Sequence, residues 1–416
     1  MPRKQTQILK IHDFRSLILA TTMSQLGDRL THMLLIALIA LSKPGSLLAY
    51  SEGALTFALP TLILSPIAGV LVDRWDKRQV LAVTHFIQSA LLLVTPVFIM
   101  LFHSFTPFWI SLFLFFGLDI FNNTAAPALL PTLVGQKRIL LANSVSLTFA
   151  RVATVLGMLI GGFLIQWVGP NLGLAIDSTT HLAAGLLALT IVTRTRPAPP
   201  QTRLAGTVTN ALVRFLRELR DVFLLVGRNR LVGFVMGSIV ISTFVSAIAY
   251  TSLLFMVQQA LGLGTAGVGI FAGILAVGMI GGAASMSFVH QDINRPLVII
   301  GAIMLYGIFF LIGTWFISIP FIIVLALAGG VSFSWVGIVQ NTILQEEVAP
   351  EIRGRIFSTR EFITNATFII TALLVGLLGD LTSYRIVFPV VGILLLLSAV
   401  TGLFFIKSGF SRASAK

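Results

Sequence analysis

Four ionisable side chains stand deep inside long apolar runs: Asp28, Asp119, Arg151 and Glu361. His32 follows Asp28 by one helical turn and so shares its face. A charge at the centre of a bilayer costs about 2.5–3.5 kcal/mol on insertion scales, so a chain that keeps one puts it into an ion pair, a proton relay or a substrate contact. Asp28 lies about 14 residues into its run, roughly 21 Å along a helix at 1.5 Å per residue. Asp119 is near the middle of another run, with Asn122 and Asn123 a turn on. Arg151 is near the middle of the next, and Glu361 enters its run beside Arg360. Each admits a coupling role or a structural one. Asp28 and Asp119 serve either as carboxyls that alternate between proton and cargo, or as partners of Arg151. Arg151 serves one of these acids or an anionic headgroup, because a guanidinium matches carboxylate and phosphate geometry. His32 is a coupling group or a satisfied interior histidine, and Glu361 a coupling group or an anchor for the inner end of its helix. Arg29, adjacent to Asp28, is expected to snorkel outward. Asp177 is expected to be an N-cap at the outer end of the sixth run.

Other chemistry is poorly supported. Cysteine is absent, which excludes disulfides, thiolate zinc sites, iron–sulfur clusters and thiol nucleophiles. The six His and fifteen acids are scattered, and no HExxH, EF-hand loop or GxxxxGK[ST] occurs. No catalytic residue, no metal ligand and no cofactor is expected, beyond a proton gradient as the driving force.

The elements that position these residues follow from composition. The chain is 56% hydrophobic and only 10% charged, against roughly 25% charged in soluble domains, so its surface must face lipid. A helix needs about 20 apolar residues to cross the hydrocarbon core. Such runs fall at 14–41, 50–73, 80–101, 107–133, 140–168, 172–193, 230–258, 266–289, 296–317, 320–343, 357–380 and 384–407. The predicted class is an all-α integral membrane protein of twelve spans. The first run is too long for a signal peptide and is read as retained.

The net charge of +13 is topological. With the N-terminus inside, only Lys43 and Arg385 of the 28 lysines and arginines fall in outer loops. Arg29 and Arg151 fall within spans, and the rest lie inside. That asymmetry obeys the positive-inside rule and predicts both termini in the cytoplasm, in an inner or plasma membrane. It removes the reason to expect a nucleic-acid partner.

The one long polar stretch, 194–229, divides the chain into an N-terminal six-helix bundle (1–193) and a C-terminal one (230–416). It opens with a Pro-rich linker, Thr193 to Pro200. Val208, Leu212, Phe215, Leu219, Val222 and Val226 then recur at helical spacing, with Arg214, Arg217 and Arg220 off the stripe, which predicts an amphipathic helix on the inner leaflet. The segments Leu130 to Gly162 and Leu344 to Gly376 share a layout of helix end, charged loop and a Thr-, Ala- and Gly-rich helix. Two such halves commonly enclose a substrate path. The pairs Gly157 and Gly161, Gly233 and Gly237, Gly269 and Gly273, and Gly278 and Gly282 predict close helix packing.

The loop after the second run, Gly69-Val70-Leu71-Val72-Asp73-Arg74-Trp75-Asp76-Lys77-Arg78, resembles the G-x-L-a-D-r-x-G-r-k signature of the major facilitator superfamily. Asp76 stands where that pattern has Gly. The resemblance implies the major facilitator fold and an inner-gate latch made by Gly69, Asp73, Arg74, Lys77 and Arg78, which breaks as the halves rock. Asp73, at an inner helix end, is placed to accept bonds from a neighbouring helix N-terminus. Gly281-Gly282 with His290 to Arg295 occupies the matching place in the second half. Leu26-Gly27-Asp28, Ala126 to Val134, Ala142-Asn143-Ser144, Gly161-Gly162, Ile176-Asp177, Gln345 and Arg353-Gly354-Arg355 resemble the branch of proton-coupled macrolide and enterobactin exporters and lysophospholipid transporters. Met158 after Gly157 departs from the Gly-Pro of the antiporter pattern. The resemblance implies a monomeric secondary transporter that exports lipophilic or amphipathic small molecules by alternating access. A lysophospholipid flippase is the rival within transport. A polytopic membrane enzyme or scaffold would need an interfacial cluster of acids, His or Ser, and a channel a filter motif; neither is present.

Overall fold

The computed structural model describes residues 8–104, 106–135, 138–192, 204–286, 294–313, 315–382 and 384–410. The stretch from Thr193 to Pro200, Lys137, and the part of the second-half loop from His290 to Ile293 lie outside the described residues.

Every regular element among the described residues is helical. In chain order they are α1 (His12–Ser42), α2 (Leu47–Arg74), α3 (Lys77–Phe102), α4 (Thr106–Val134), α5 (Ile139–Leu189), α6 (Leu204–Arg228), α7 (Arg230–Phe255), α8 (Gly264–Met286), α9 (Arg295–Gly313), α10 (Ile319–Glu347), α11 (Pro350–Leu381) and α12 (Tyr384–Phe410). A π-helical turn, Met256–Ala260, extends α7. Ten of these helices are long and apolar enough to cross a bilayer. One of the ten, α5, has 51 residues, roughly 76 Å of helix against a hydrocarbon core of about 30 Å. It breaks at Gly169 (φ 79°, ψ 171°) before Pro170. Only glycine adopts that backbone without strain, and proline cannot continue the helix before it, so α5 is two spans. Helix α1, with 31 residues, has spanning length and misses the apolar criterion through its own charges. Among the described residues the count is twelve spans, six before α6 and six after it.

Local signals explain the boundaries. Asp76 caps α3, its Oδ1 accepting from Arg78 N at 2.8 Å and Gln79 N at 3.3 Å. Its φ of −64° shows that this turn needs no glycine. Asn229 caps α7 through Leu231 N and Val232 N and alone separates α6 from α7. Ser318 caps α10, and Pro350 opens α11.

Two compact units result: 1–42 with 55–215, and 43–54 with 216–416. In the first, α1 packs along α5, and α3 packs on α4 and α5. In the second, the main pairs are α8 with α10, α9 with α12 and α7 with α11. Glycines allow the closest of these approaches, as the 3-4 spacing of Gly278 and Gly282 predicts. A Cβ on Gly278 would lie 2.4 Å from Leu327 O, and one on Gly282 2.8 Å from Val331 Cα.

The second unit also contains the start of α2. Ser46 donates to Asp380 Oδ2 at 2.6 Å, while Asp380 Oδ1 accepts from Leu47 N at 2.6 Å and Leu48 N at 3.3 Å. Thus a carboxylate at the end of α11 caps the first turn of α2, where free N–H groups carry partial positive charge. Asp380→Ala is expected to cost about 1 kcal/mol, the usual size of a lost cap, read as a lower thermal midpoint of the purified protein. Asp380→Asn, which still accepts, should lose less.

In α6 the stripe Phe215, Leu219, Val222 and Val226 turns inward, with Val222 buried. Arg355 of α11 lies 4.0 Å from Glu218 and 3.8 Å from Asp221, tying this helix to the second unit.

Candidate functional site

The polar interior of the first unit is built from α1, α3, α4 and the arm of α5 after Gly169. Asp28, Thr31, His85, Gln88, Asp177 and His181 are each no more than 3% exposed, with Thr84, Ser89, Asn122 and Ser178 also buried beside them. His181 lies among them. Its Nε2 is 3.6 Å from Asp177 Oδ1 and 3.8 Å from Asp28 Oδ1. Asp177 is well bonded: Thr31 donates its hydroxyl to Oδ2, and Thr180 donates to Oδ1 at 3.2 Å. Asp28 differs, because neither of its buried carboxyl oxygens has a hydrogen-bond partner.

A second layer lies behind His181. Its Nδ1 is 3.5 Å from His85 Nδ1. The His85 Nδ1 is 3.0 Å from Gln88 Oε1, which also accepts from Asn122 Nδ2 at 3.0 Å. Gln88 Nε2 donates to Phe115 O at 3.2 Å, and Thr84 donates to Asn122 Oδ1. The Phe115 ring meets His181 edge-on at 4.9 Å. Ser89 and Ser178 exchange hydroxyl-to-carbonyl bonds at 2.9 Å, fastening α3 to α5 beside the cluster. Gly27 makes the α1–α5 approach possible, since a Cβ there would sit 2.2 Å from Thr180 Oγ1 and 2.6 Å from Asp177 Oδ1.

The residues singled out from sequence distribute unevenly around this core. Asp28 is in it. His32 is beside it, its Nδ1 2.7 Å from Asp28 O, and its ring packs between Phe57 and Phe116. Asp119 is half-buried, accepts from Asn123 at 2.8 Å and interacts electrostatically with Asp28 and Arg29. The cation facing these acids is therefore Arg29, whose Nε is buried without a hydrogen-bond partner, so the outward snorkel expected for it is not found. Arg151 is exposed on α5, and among the described residues it is in no ion pair. Helix periodicity explains the exchange: Arg29 faces α5, where Gly157 leaves room for its Cβ.

Asp177 requires a correction. It is not an N-cap. The helix restarts at Pro170, so Asp177 lies two turns inside it, on the face turned to α1. His181, His85 and Gln88 were missed altogether. The one available signal was the spacing of Asp177 and His181, which puts both on a single helix face.

Glu361 belongs to the second unit and is not part of this cluster. It is exposed on α11 of the second unit, while neighbouring Arg360 donates to Asn341 Oδ1. In the loop motif, Gly69 has open space where a Cβ would be. Arg78 donates to Leu189 O, binding the start of α3 to the end of α5, and Trp75 stacks on Phe121. Arg74 and Lys77 are half-buried, and the Asp73 side chain lies outside the described residues.

Twelve spans divided six and six, with a polar core inside one six-helix set, define a polytopic helical membrane protein. The Major Facilitator Superfamily profile matches residues 17–291 and 286–415, and the chain belongs to that superfamily. It is 24% identical over 346 residues to macrolide efflux protein A of Streptococcus pyogenes, covering 81% of this chain and 82% of that one. It is 25% identical over 303 residues to the enterobactin exporter EntS of Salmonella typhimurium, covering 70% and 67%. Among solved structures, a bacterial homologue of the human lysosomal transporter Spinster superposes with a TM-score of 0.69 at 12% identity, over 97% of this chain and 96% of that one.

Proposed function

We propose that this transporter is a proton-coupled exporter of lipophilic or amphipathic small molecules, working by alternating access in an inner or plasma membrane with both termini cytoplasmic. The observation that carries the reading is Asp28: a carboxyl 3% exposed, with neither oxygen hydrogen-bonded, beside Asp119, Arg29 and His181. A lone buried carboxylate is costly unless it is paired or takes up a proton, and a carboxyl that gains and loses a proton as cargo passes is what an antiporter requires. The efflux function of the two relatives supports the direction of transport, and the macrolide cargo of one of them supports an amphipathic substrate. No cofactor is needed beyond the proton gradient.

The test uses proteoliposomes and a fluorescent macrolide. An imposed pH gradient should drive uphill movement in the wild type. Asp28→Asn should reduce that movement about tenfold or more and spare downhill exchange. Uphill transport left intact in both Asp28→Asn and Asp119→Asn would sink carboxylate coupling at these positions.

A second reading, a lysophospholipid flippase, is favoured by the exposed Arg151, a cation in mid-span suited to an anionic headgroup. Lysophospholipid movement independent of any pH gradient and lost in Arg151→Gln would establish it instead.

A further inference from the structure

Among the described residues of the first unit five buried polar atoms are left over by its hydrogen bonding: Asp28 Oδ1 and Oδ2, Arg29 Nε, Ser146 Oγ and His181 Nε2. Two of them, Asp28 Oδ1 and His181 Nε2, face one another. His181 Nε2 stands between Asp28 Oδ1 at 3.8 Å and Asp177 Oδ1 at 3.6 Å, and all three residues are at most 3% exposed. Such orphans are rare, and each calls for a specific explanation. Among the described residues no three His, Asp or Glu side chains are arranged as metal ligands. A proton, by contrast, suits the set: carried by either carboxyl or by the imidazole, it supplies the donor that the facing atom lacks once the gaps of 3.6 and 3.8 Å close to hydrogen-bond length.

The surroundings hold the ring in this position. His85 and Phe115 pack against it at ring separations of 5.6 Å and 4.9 Å. Asp177 is held by two hydroxyls, from Thr31 and Thr180, while Asp28 is held by none. The titratable and charged groups around His181 are Asp28 and Arg29 on α1, His85 on α3, Asp119 on α4 and Asp177 on its own helix.

We infer that Asp28, His181 and Asp177 form an internal proton site in the first unit, in which His181 passes a proton between the two carboxyls. In the first step the Asp28 carboxylic acid gives its proton to His181 Nε2, leaving a carboxylate and an imidazolium. In the second the same nitrogen gives that proton to Asp177 Oδ1, leaving neutral imidazole and a carboxylic acid. Net charge is unchanged in both steps, and the imidazolium of the intermediate stands between two carboxylates that offset its charge. Asp119 then belongs to the field around the site rather than to the path. The inference deepens the proton-coupled reading and rests on it.

Infrared difference spectra of the purified full chain, recorded between acid and alkaline pH, test the site without any cargo. The wild type should show the carbonyl band of a protonated carboxylic acid. Asp28→Asn should remove the Asp28 component and leave that of Asp177, and His181→Gln should shift the band, because the facing partner changes. Asp119→Asn should keep it. In proteoliposomes His181→Gln should lose pH-driven transport and keep downhill exchange. A band unaffected by His181→Gln overturns the inference, and if that variant does not fold, a band unaffected by Asp177→Asn overturns it equally. A band that behaves as expected in a protein whose transport ignores the pH gradient would uphold the site and defeat the exporter reading, so the two failures are distinguishable.

Discussion

Gly27→Ala is expected to lose transport and to lower the stability of the first unit by about 3 kcal/mol, the upper range for overpacking a filled core. The added methyl would sit 2.2 Å from Thr180 Oγ1, 2.6 Å from Asp177 Oδ1 and 2.8 Å from His181 Nε2. No single rotation relieves all three. Thr180 cannot turn away without giving up its bonds to Asp177 O at 2.7 Å and Oδ1 at 3.2 Å. Asp177 cannot retreat without losing Thr31. The remaining escape is to push α1 off α5, which separates Asp28 from His181. Stability and coupling should therefore fail together, seen as a lower thermal midpoint in detergent and as loss of pH-driven uptake. A Gly27→Ala protein that melts and transports like the wild type would refute this packing of α1 on α5.

Gly330→Ala should be at least as damaging, for a different reason. Its Cβ would meet Leu275 O at 2.2 Å and Met279 N at 2.8 Å, both backbone atoms of α8. Backbone cannot rotate aside, so α8 and α10 must separate along their length. Gly278 and Gly282 on α8 would then lose their close contacts with Leu327 and Val331. The Trp335 indole would lose its bonds to Gly282 O and Ser285 Oγ, both 2.9 Å. In lipid, where helix association depends on such close packing, a loss of about 3 kcal/mol or more is expected. Gly281→Ala provides the contrast. Nothing lies within 4 Å of its Cβ, so the change should stay within about 0.5 kcal/mol. Unfolding midpoints of the two variants, measured side by side, check the prediction; equal midpoints would show that the glycine contact does not limit packing.

The two results bear on how much of the protein is legible in its residues. The twelve apolar runs correspond one for one to spanning segments, including the division of α5 at Gly169-Pro170. This works because a spanning helix satisfies its own backbone and needs only an apolar run of sufficient length, a local property. The resemblance in the loop from Gly69 to Arg78 was equally local, as was the cap that Asp76 supplies where the pattern has glycine. The spacing of Gly278 and Gly282 announced a close contact but not its partner. Gly330 was not anticipated, because its importance lies wholly in the helix that crosses it.

The functional core was harder to see. Asp28 stood out because a carboxyl in an apolar run is conspicuous by itself. Asp177 did not, since its position near a span boundary suggested a cap until the restart at Pro170 placed it inside the helix. Histidines 85 and 181, Gln88 and Asn122 are polar residues on three different helices, and nothing along the chain links the three. Arg151 and Arg29 were exchanged in role for the same reason. A soluble helix betrays its inward face by an apolar stripe against a polar one, whereas spans that are apolar all round carry no such contrast. Sequence alone therefore determined the membrane class, the number and limits of the spans and the superfamily resemblance. Only tertiary structure decided which faces turn together, and so brought Asp28, His181 and Asp177 within 4 Å in the core of the first unit.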